Sequence, residues 1–285
     1  MTIIATLGGL GEARAKDITA AIDGDEVLWA HSFDVSETTP GIWHVTVYFE
    51  DEPTGEERAA LERLAGGTVF GFETLPETNW VAKSLEGLAP VRAGPFLVNG
   101  AHDRGAVEAN DIGIEIEAGM AFGTGHHGTT SGCLIAIDRI AKAQPIRRAL
   151  DVGTGSGVLA IAIAKRTKAR VVASDIDPVA VAVARENVRL NGVASRVRTV
   201  VATGLNHAVI EASAPYDLIV ANILAGPLVA LAPAIKRATA RRGAVVLSGL
   251  TLDQERRVAA AYRSVGLTRV AVIRLGEWAT LILRR

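Results

Sequence analysis

A turn that only glycine makes easily fixes what most of this chain can become. In Arg148-Ala-Leu-Asp-Val-Gly153-Thr-Gly155-Ser-Gly157-Val158, a short apolar run ending in Asp151 predicts a buried strand. Three alternating glycines follow, and the run from Val158 to Lys165 predicts a helix. A backbone without Cβ atoms can turn that sharply and let a ligand lie against the main chain. The new helix also offers the unpaired N–H groups of its first turn. A second strand, Val171 to Asp175, ends in a carboxylate. The distance from Gly153 to Asp175 is about the 20-residue spacing at which an acidic side chain binds a ribose in nucleotide-binding βαβ units.

The glycine spacing selects among nucleotides. A dinucleotide fingerprint reads Gly-x-Gly-x-x-Gly, whereas here the third glycine falls one place early, at Gly157, and Val158 holds the expected position. The pattern fits a pyrophosphate poorly and an adenosyl ligand without phosphates better, which points to S-adenosylmethionine. A second stretch, Gly123-x-Gly125-x-x-Gly128, matches the dinucleotide pattern literally, but no carboxylate stands about 20 residues beyond it. It reads instead as a loop entering a helix over 131–140, capped by Thr129 or Thr130. The neighbouring His126 and His127 have no second His or Cys pair nearby, so no metal site is expected.

From Arg148 onward strand-like and helix-like segments alternate, with strands predicted over 196–201, 216–222, 243–248, 267–274 and 278–283. Such βαβα alternation requires a parallel sheet covered on both faces, and the closing hairpin suggests an antiparallel strand at one edge. Asp177-Pro178 is an N-cap with proline at N1, and its helix runs to Leu190. Residues 1–75 form a separate small α+β module. Helices are expected over 12–22 and 56–64, strands over 27–33, 42–49 and 68–73, and a turn at Thr38-Thr-Pro-Gly41. Pro76, Pro90, Gly94, Pro95 and Gly100 make 76–100 a linker, with Trp80 as a packing anchor, and 101–285 the second domain. Charge divides the same way: residues 1–75 hold 14 Asp and Glu against 4 Lys and Arg, while the remainder holds 17 against 26.

Ligands of open α/β sheets bind beyond the carboxyl ends of the strands, where Gly153, Asp175 and Asn222 all fall. Methyl transfer to nitrogen mainly requires positioning and acceptors for the hydrogens of the attacking amine. Asn222 could supply such an acceptor, or it could be a turn residue capping the following helix. Asp217, ahead of its strand's apolar run, reads as structural.

Six segments together resemble the PrmA family, bacterial enzymes that methylate ribosomal protein L11. They are Ala-Phe-Gly-Thr-Gly-His-His-Gly-Thr-Thr (121–130), Leu-Asp-Val-Gly-Thr-Gly-Ser-Gly (150–157), Asp-Ile-Asp-Pro (175–178), Ala-Asn-Ile-Leu-Ala-Gly-Pro-Leu (221–228), Leu-Ser-Gly-Leu (247–250) and Glu-Trp (277–278). The likeness covers residues from about 76 to 285. It implies a Rossmann-like, seven-stranded methyltransferase sheet behind a small amino-terminal α+β domain that recognises the substrate. It implies S-adenosylmethionine contacts from Thr130, Gly153, Gly155, Asp175 and Asn222, with Phe122 near the ligand and Asn222 catalytic. It also implies methylation of lysine ε-amines and of the α-amine. His126 and Gly128 stand where the family has Thr and Pro.

The alternative is a related methyltransferase acting on another protein, a nucleobase or a small-molecule amine. The acidic front module argues against nucleic acid, and Asn222-Ile-Leu lacks the Asn-Pro-Pro-Tyr run of many nucleobase enzymes. A non-enzymatic adaptor and a dehydrogenase fit less well, since no cofactor feature is damaged and position 158 lacks glycine. A basic ribosomal protein is the expected partner, with no direct nucleic-acid binding and no membrane. A single cysteine, Cys133, and the absence of a basic leader or bilayer-length apolar run suggest the cytoplasm.

Overall fold

The computed structural model describes residues 2–23, 25, 27–28, 31–39, 41–49, 51–66, 68–75, 90–116 and 127–285. The chain divides into two compact units, Met1–Trp80 and Val81–Arg285.

In the first unit, strands β1 (Thr2–Leu10), β2 (Ser32–Thr39), β3 (Ile42–Phe49) and β4 (Gly71–Leu75) form an antiparallel sheet in the order β2-β3-β1-β4. Helix α1 (Glu12–Asp23) follows β1 and α2 (Gly55–Ala65) follows β3, giving the βαββαβ path of a ferredoxin-like fold. Alternate residues Ile3, Ala5 and Leu7 of β1 and Val45, Val47 and Phe49 of β3 pack on Ile18 and Ile22 of α1 and Leu61 of α2. Thr54 and Glu57 form a capping box at the start of α2, and Gly66 ends that helix in the left-handed region. The strand expected over 27–33 begins later, at Ser32. Val27 and Leu28 instead turn around Asp25, whose carboxylate accepts from both their amides.

The second unit opens with β5 (Val91–Ala93), β6 (Phe96–Asn99) and β7 (Ile112–Glu115), a three-stranded sheet with a 3₁₀ segment, Ala101–Ala106, before β7. Phe96, Val98 and Ile114 are buried in the unit's core. The carboxyl-terminal part of the segment expected as a linker is therefore folded into this unit; Trp80 lies outside the described residues.

Helix α3 (His127–Ala143) leads into the main sheet, built from β8 (Arg148–Val152), β9 (Arg170–Asp175), β10 (Val197–Val201), β11 (Tyr216–Asn222), β12 (Thr239–Thr251), β13 (Thr268–Leu275) and β14 (Trp278–Arg284). Its order is β10-β9-β8-β11-β12-β14-β13. The five strands from β10 to β12 run parallel, and β14 is antiparallel to both of its neighbours. The antiparallel strand is thus inserted one place inside the edge, correcting the expectation that it lies at the edge itself. β14 is buried from Ala279 to Leu283 while β13 is largely exposed, so the apolar strand takes the inner position.

The intervening helices are α4 (Val158–Arg166), α5 (Pro178–Leu190), α6 (Ala208–Ser213), α7 (Ala225–Ala238) and α8 (Glu255–Ser264). On β11, Leu218 and Val220 face a core shared with α3 and α4, while Ile219 and Ala221 face one shared with α6, α7 and α8. Continuous apolar strands are what a sheet buried on both faces demands. Asp217 anchors the opposite end of β11: its Oδ2 accepts from the amides of Arg147 at 2.8 Å and Arg148 at 3.0 Å.

Helix α3 lies close on β14 because residue 132 is glycine. A Cβ there would stand 2.2 Å from Thr280 Oγ1 and 3.1 Å from Thr280 Cβ. Thr280 cannot simply turn away, since its hydroxyl shares a 2.8 Å hydrogen bond with Ser248 of β12. Gly132→Ala should lower stability by about 1–3 kcal/mol through overpacking, more than alanine's helix propensity of about 1 kcal/mol returns. A urea midpoint equal to or above that of the parent would show that α3 does not need this approach.

Candidate active site

Strand register assembles the site. Val152 of β8 lies opposite Ser174 of β9 and Ala221 of β11. The next residue on each strand, Gly153, Asp175 and Asn222, therefore falls in one row across three strands. The row sits where the chain switches sides, since β9 and β10 lie on one side of β8 and β11 and β12 on the other. This is the crevice where open α/β sheets bind ligands.

The glycine turn folds as its composition requires. Gly153, Gly155 and Gly157 have φ of 69°, 53° and 86°, in the left-handed region. A Cβ on Gly153 would stand 2.3 Å from Ile223 Cγ2, so any larger residue would intrude on the β11 loop. Gly157 is the N-cap of α4 and has no side chain with which to cap it.

That duty passes to Asp151. Its Oδ2 accepts from Thr154 Oγ1 at 2.6 Å and from Ala160 N, in the first turn of α4, at 3.0 Å. In the sequence Asp151 marks only a strand terminus; a carboxylate at the end of an otherwise apolar strand is the one signal of this role. Its side chain is fully buried, and burial, opposed by its two donors, pushes the carboxyl from 3.8 up to about 6.

Asp175 holds the other side of the turn. Its Oδ2 accepts from Gly155 N at 2.8 Å and its Oδ1 from Asp177 N at 3.2 Å. The carboxylate is oriented by backbone, and each oxygen keeps a further lone pair for a ligand. Asp177 caps α5 through Val179 N and Ala180 N, with Pro178 at the first helical position, as its sequence predicts.

Thr130, Gly153, Gly155 and Asn222 line one cavity of about 300 Å³, together with Ile223 and Trp278. Asp175 borders it through its bond to Gly155. The expectation that Thr129 or Thr130 caps this helix is corrected: α3 begins at His127, which places both threonines, buried, in its first turn. Nor does Asn222 cap α7, whose N-cap is Leu224 with no side-chain bond. Asn222 is half-buried and, among the described residues, its side chain makes no hydrogen bond. Phe122 and His126 lie outside the described residues. Trp278 is a lining residue that only the Glu-Trp segment of the resemblance hinted at. Gly128 gives it room, since a Cβ at 128 would stand 2.8 Å from Trp278 Cδ1.

Among the described residues, no Arg, Lys or His lines this cavity. A first-turn amide of α4, of the kind a pyrophosphate would use, is occupied by Asp151. The donor set therefore suits a phosphate-free nucleoside with ribose hydroxyls, which is the adenosyl half of S-adenosylmethionine.

The buried Asp151 sets a pH dependence. A native carboxyl that titrates near 6 holds its proton above the range of the unfolded chain, near 3.8. Its contribution to stability is then complete below about pH 4 and lost as pH rises through about 6. Relative to Asp151→Asn, which does not titrate, the parent should lose on the order of 3 kcal/mol between those limits, at about 1.4 kcal/mol per pKa unit. A stability difference that stays constant over that range would show Asp151 to be ionised throughout.

Comparison with known proteins agrees with the geometry. A family profile described as ribosomal protein L11 methyltransferase (PrmA) matches residues 10–285. A ribosomal protein L11 methyltransferase of Agrobacterium fabrum is 46% identical over 273 residues, 94% of this chain and 93% of the relative. One of Brucella suis is 49% identical over 243 residues, 85% of each chain. The crystal structure of a ribosomal protein L11 methylase from Lactobacillus delbrueckii subsp. bulgaricus superposes with a TM-score of 0.62 at 30% identity, covering 70% of this chain and 99% of that one. With the glycine turn, the acidic second strand and the Asn222 segment all meeting at one crevice, this chain belongs to the PrmA family of ribosomal protein L11 methyltransferases.

Proposed function

We propose that this protein transfers methyl groups from S-adenosylmethionine to ribosomal protein L11, at lysine ε-amines and the α-amine. The observation that carries the reading is the row Asp175, Gly153 and Asn222 at the switch point, beside a cavity that no cation lines among the described residues. When bound, the donor supplies a sulfonium-activated methyl carbon, which the lone pair of a neutral amine attacks as the carbon–sulfur bond breaks.

Each residue has a physical task in this reading. Asp175, pre-oriented by Gly155 and Asp177, accepts hydrogen bonds from the ribose. Gly153 and Gly155 let the ligand lie on the backbone, and Thr130 and Trp278 contribute to the wall. Asn222, with no partner among the described residues, directs its amide oxygen to a hydrogen of the attacking amine. It thereby holds the nitrogen lone pair toward the methyl carbon, a matter of orientation more than of acid–base strength. The first unit recognises the basic substrate, supported by its excess of acidic residues and by the exposure of Asp51, Glu52 and Glu56 around the start of α2. No described helix is long and apolar enough to cross a membrane, and we place the reaction in the cytoplasm.

Mass spectrometry of purified L11 incubated with this protein and S-adenosylmethionine tests the assignment; absence of methyl increments on amines would refute it. Asp175→Ala should weaken S-adenosylmethionine by about one to two decades, the effect of losing a charge-assisted bond of about 1.5–3 kcal/mol. Asn222→Ala should keep its thermal midpoint and lose turnover, whereas parallel losses of stability and activity would mark a structural residue.

Recognition by the first unit should be electrostatic and act on encounter. kcat/KM for L11 should fall as the Debye length shortens from about 10 Å at 0.1 M salt to about 3 Å at 1 M. Asp51→Ala combined with Glu56→Ala should raise KM and leave kcat unchanged. A salt-independent kcat/KM would remove the acidic unit from recognition.

A further inference from the structure

We propose that a basic groove at the end of the main sheet opposite the cavity binds the phosphate backbone of structured RNA. The groove has a volume of about 980 Å³, and among the described residues that line it seven are Arg or Lys and none is Asp, Glu or aromatic. Register creates the cluster. Arg148, at the start of β8, pairs with Arg170, at the start of β9, and the carbonyl of Arg196, just before β10, accepts from Val171 N. Three guanidinium-bearing residues thus begin three adjacent strands, a few ångströms apart. Arg147, Lys168 and Arg198 extend the row, and all six residues are exposed.

Apart from Arg166, which pairs with Asp138, these charges are not spent within the fold. Arg196 donates to the carbonyls of Ala164 and Thr167, and Arg148 to those of Ser213 and Ala214, which orients both guanidiniums without neutralising them. Arg147, Lys168, Arg170 and Arg198 have no ion pair among the described residues. Two carboxylates border the groove. Asp138 is committed to Arg166 and Lys142, and Asp217 to the amides of Arg147 and Arg148.

Composition decides the partner. Guanidinium outnumbers ammonium six to one, and its fork matches phosphate oxygens in pairs. The lack of aromatic residues among the described lining removes the stacking platforms that grip single-stranded bases and the Trp and Tyr anchors of protein interfaces. What remains is sequence-independent contact with the backbone of a folded RNA. The net charge of the whole chain, −1, concealed this surface, because the acidic first unit cancels it. The inference does not depend on the identity of the methylated substrate.

Fluorescence anisotropy of a labelled RNA hairpin with the full chain tests the proposal. Binding should be present at low salt, and log Kd should rise linearly with log salt. Arg170→Ala, Lys168→Ala and Arg198→Ala should each weaken binding and lower the salt slope by about 1. Calorimetric affinity for S-adenosylmethionine and the thermal midpoint should stay at parental values. Arg256→Ala with Arg257→Ala, on the exposed side of α8, should bind RNA like the parent. Absence of binding at low salt, equal weakening by the α8 pair, or displacement by polyglutamate at matched charge as readily as by unlabelled RNA would overturn it; the last would instead make the groove a dock for acidic protein.

Discussion

One oxygen of Asp151 holds two pieces of structure that would otherwise be independent. By accepting from Thr154 Oγ1 and from Ala160 N, it fixes the glycine turn to the first turn of α4 from inside the sheet. The turn contains three residues in the left-handed region, and its last, Gly157, is an N-cap without a side chain. Without a tether from β8, its glycines would be free to sample many conformations, at a high entropic cost for ordering them. Burial of a carboxyl that titrates near 6 is itself unfavourable at neutral pH. The molecule accepts that cost at the point where the cavity floor must be rigid.

From this tether the rest of the site follows by register. Gly155, held in place by the turn, orients Asp175, and Gly153 leaves the space that Ile223 occupies beside Asn222. α3 closes over the same region through Gly132 against Thr280, and the Ser248 hydroxyl links Thr280 to the carbonyl of Thr129. A polar seam therefore runs through the core from β12 to the first turn of the helix that carries Thr130. The side chain of the half-buried Asn222 stays outside this network among the described residues.

Much of this was legible in the chain. β11 has the boundaries expected from its apolar run, because a strand buried on both faces leaves a continuous signal. The row of Gly153, Asp175 and Asn222 was also foreseeable, since each ends a strand of a parallel sheet. The place of β14 was misread because a hairpin in sequence does not say which of its strands lies inside. The difference between Thr268-Arg-Val-Ala-Val-Ile-Arg and Thr280-Leu-Ile-Leu held that information. α6, with six residues, is too short for helical periodicity to register. β5 and β6 were hidden by Pro90, Gly94 and Pro95, which read as linker but punctuate a tight antiparallel pair with Gly94 at φ 60°. The basic groove was invisible because it is assembled from residues that begin separate strands.

The insertion of β14 between β12 and β13 has a consequence for biosynthesis. Domains fold from the amino-terminal side as the chain emerges, and the five parallel strands precede β14 in the chain. Until β14 arrives, β12 presents an open edge, and Trp278 is missing from the wall of the cavity. The nascent chain therefore acquires its glycine turn early but gains Trp278 in the cavity wall only when β14 threads into place. A chain halted before β14 would therefore carry the glycine turn and leave the cavity open on the side that Trp278 walls.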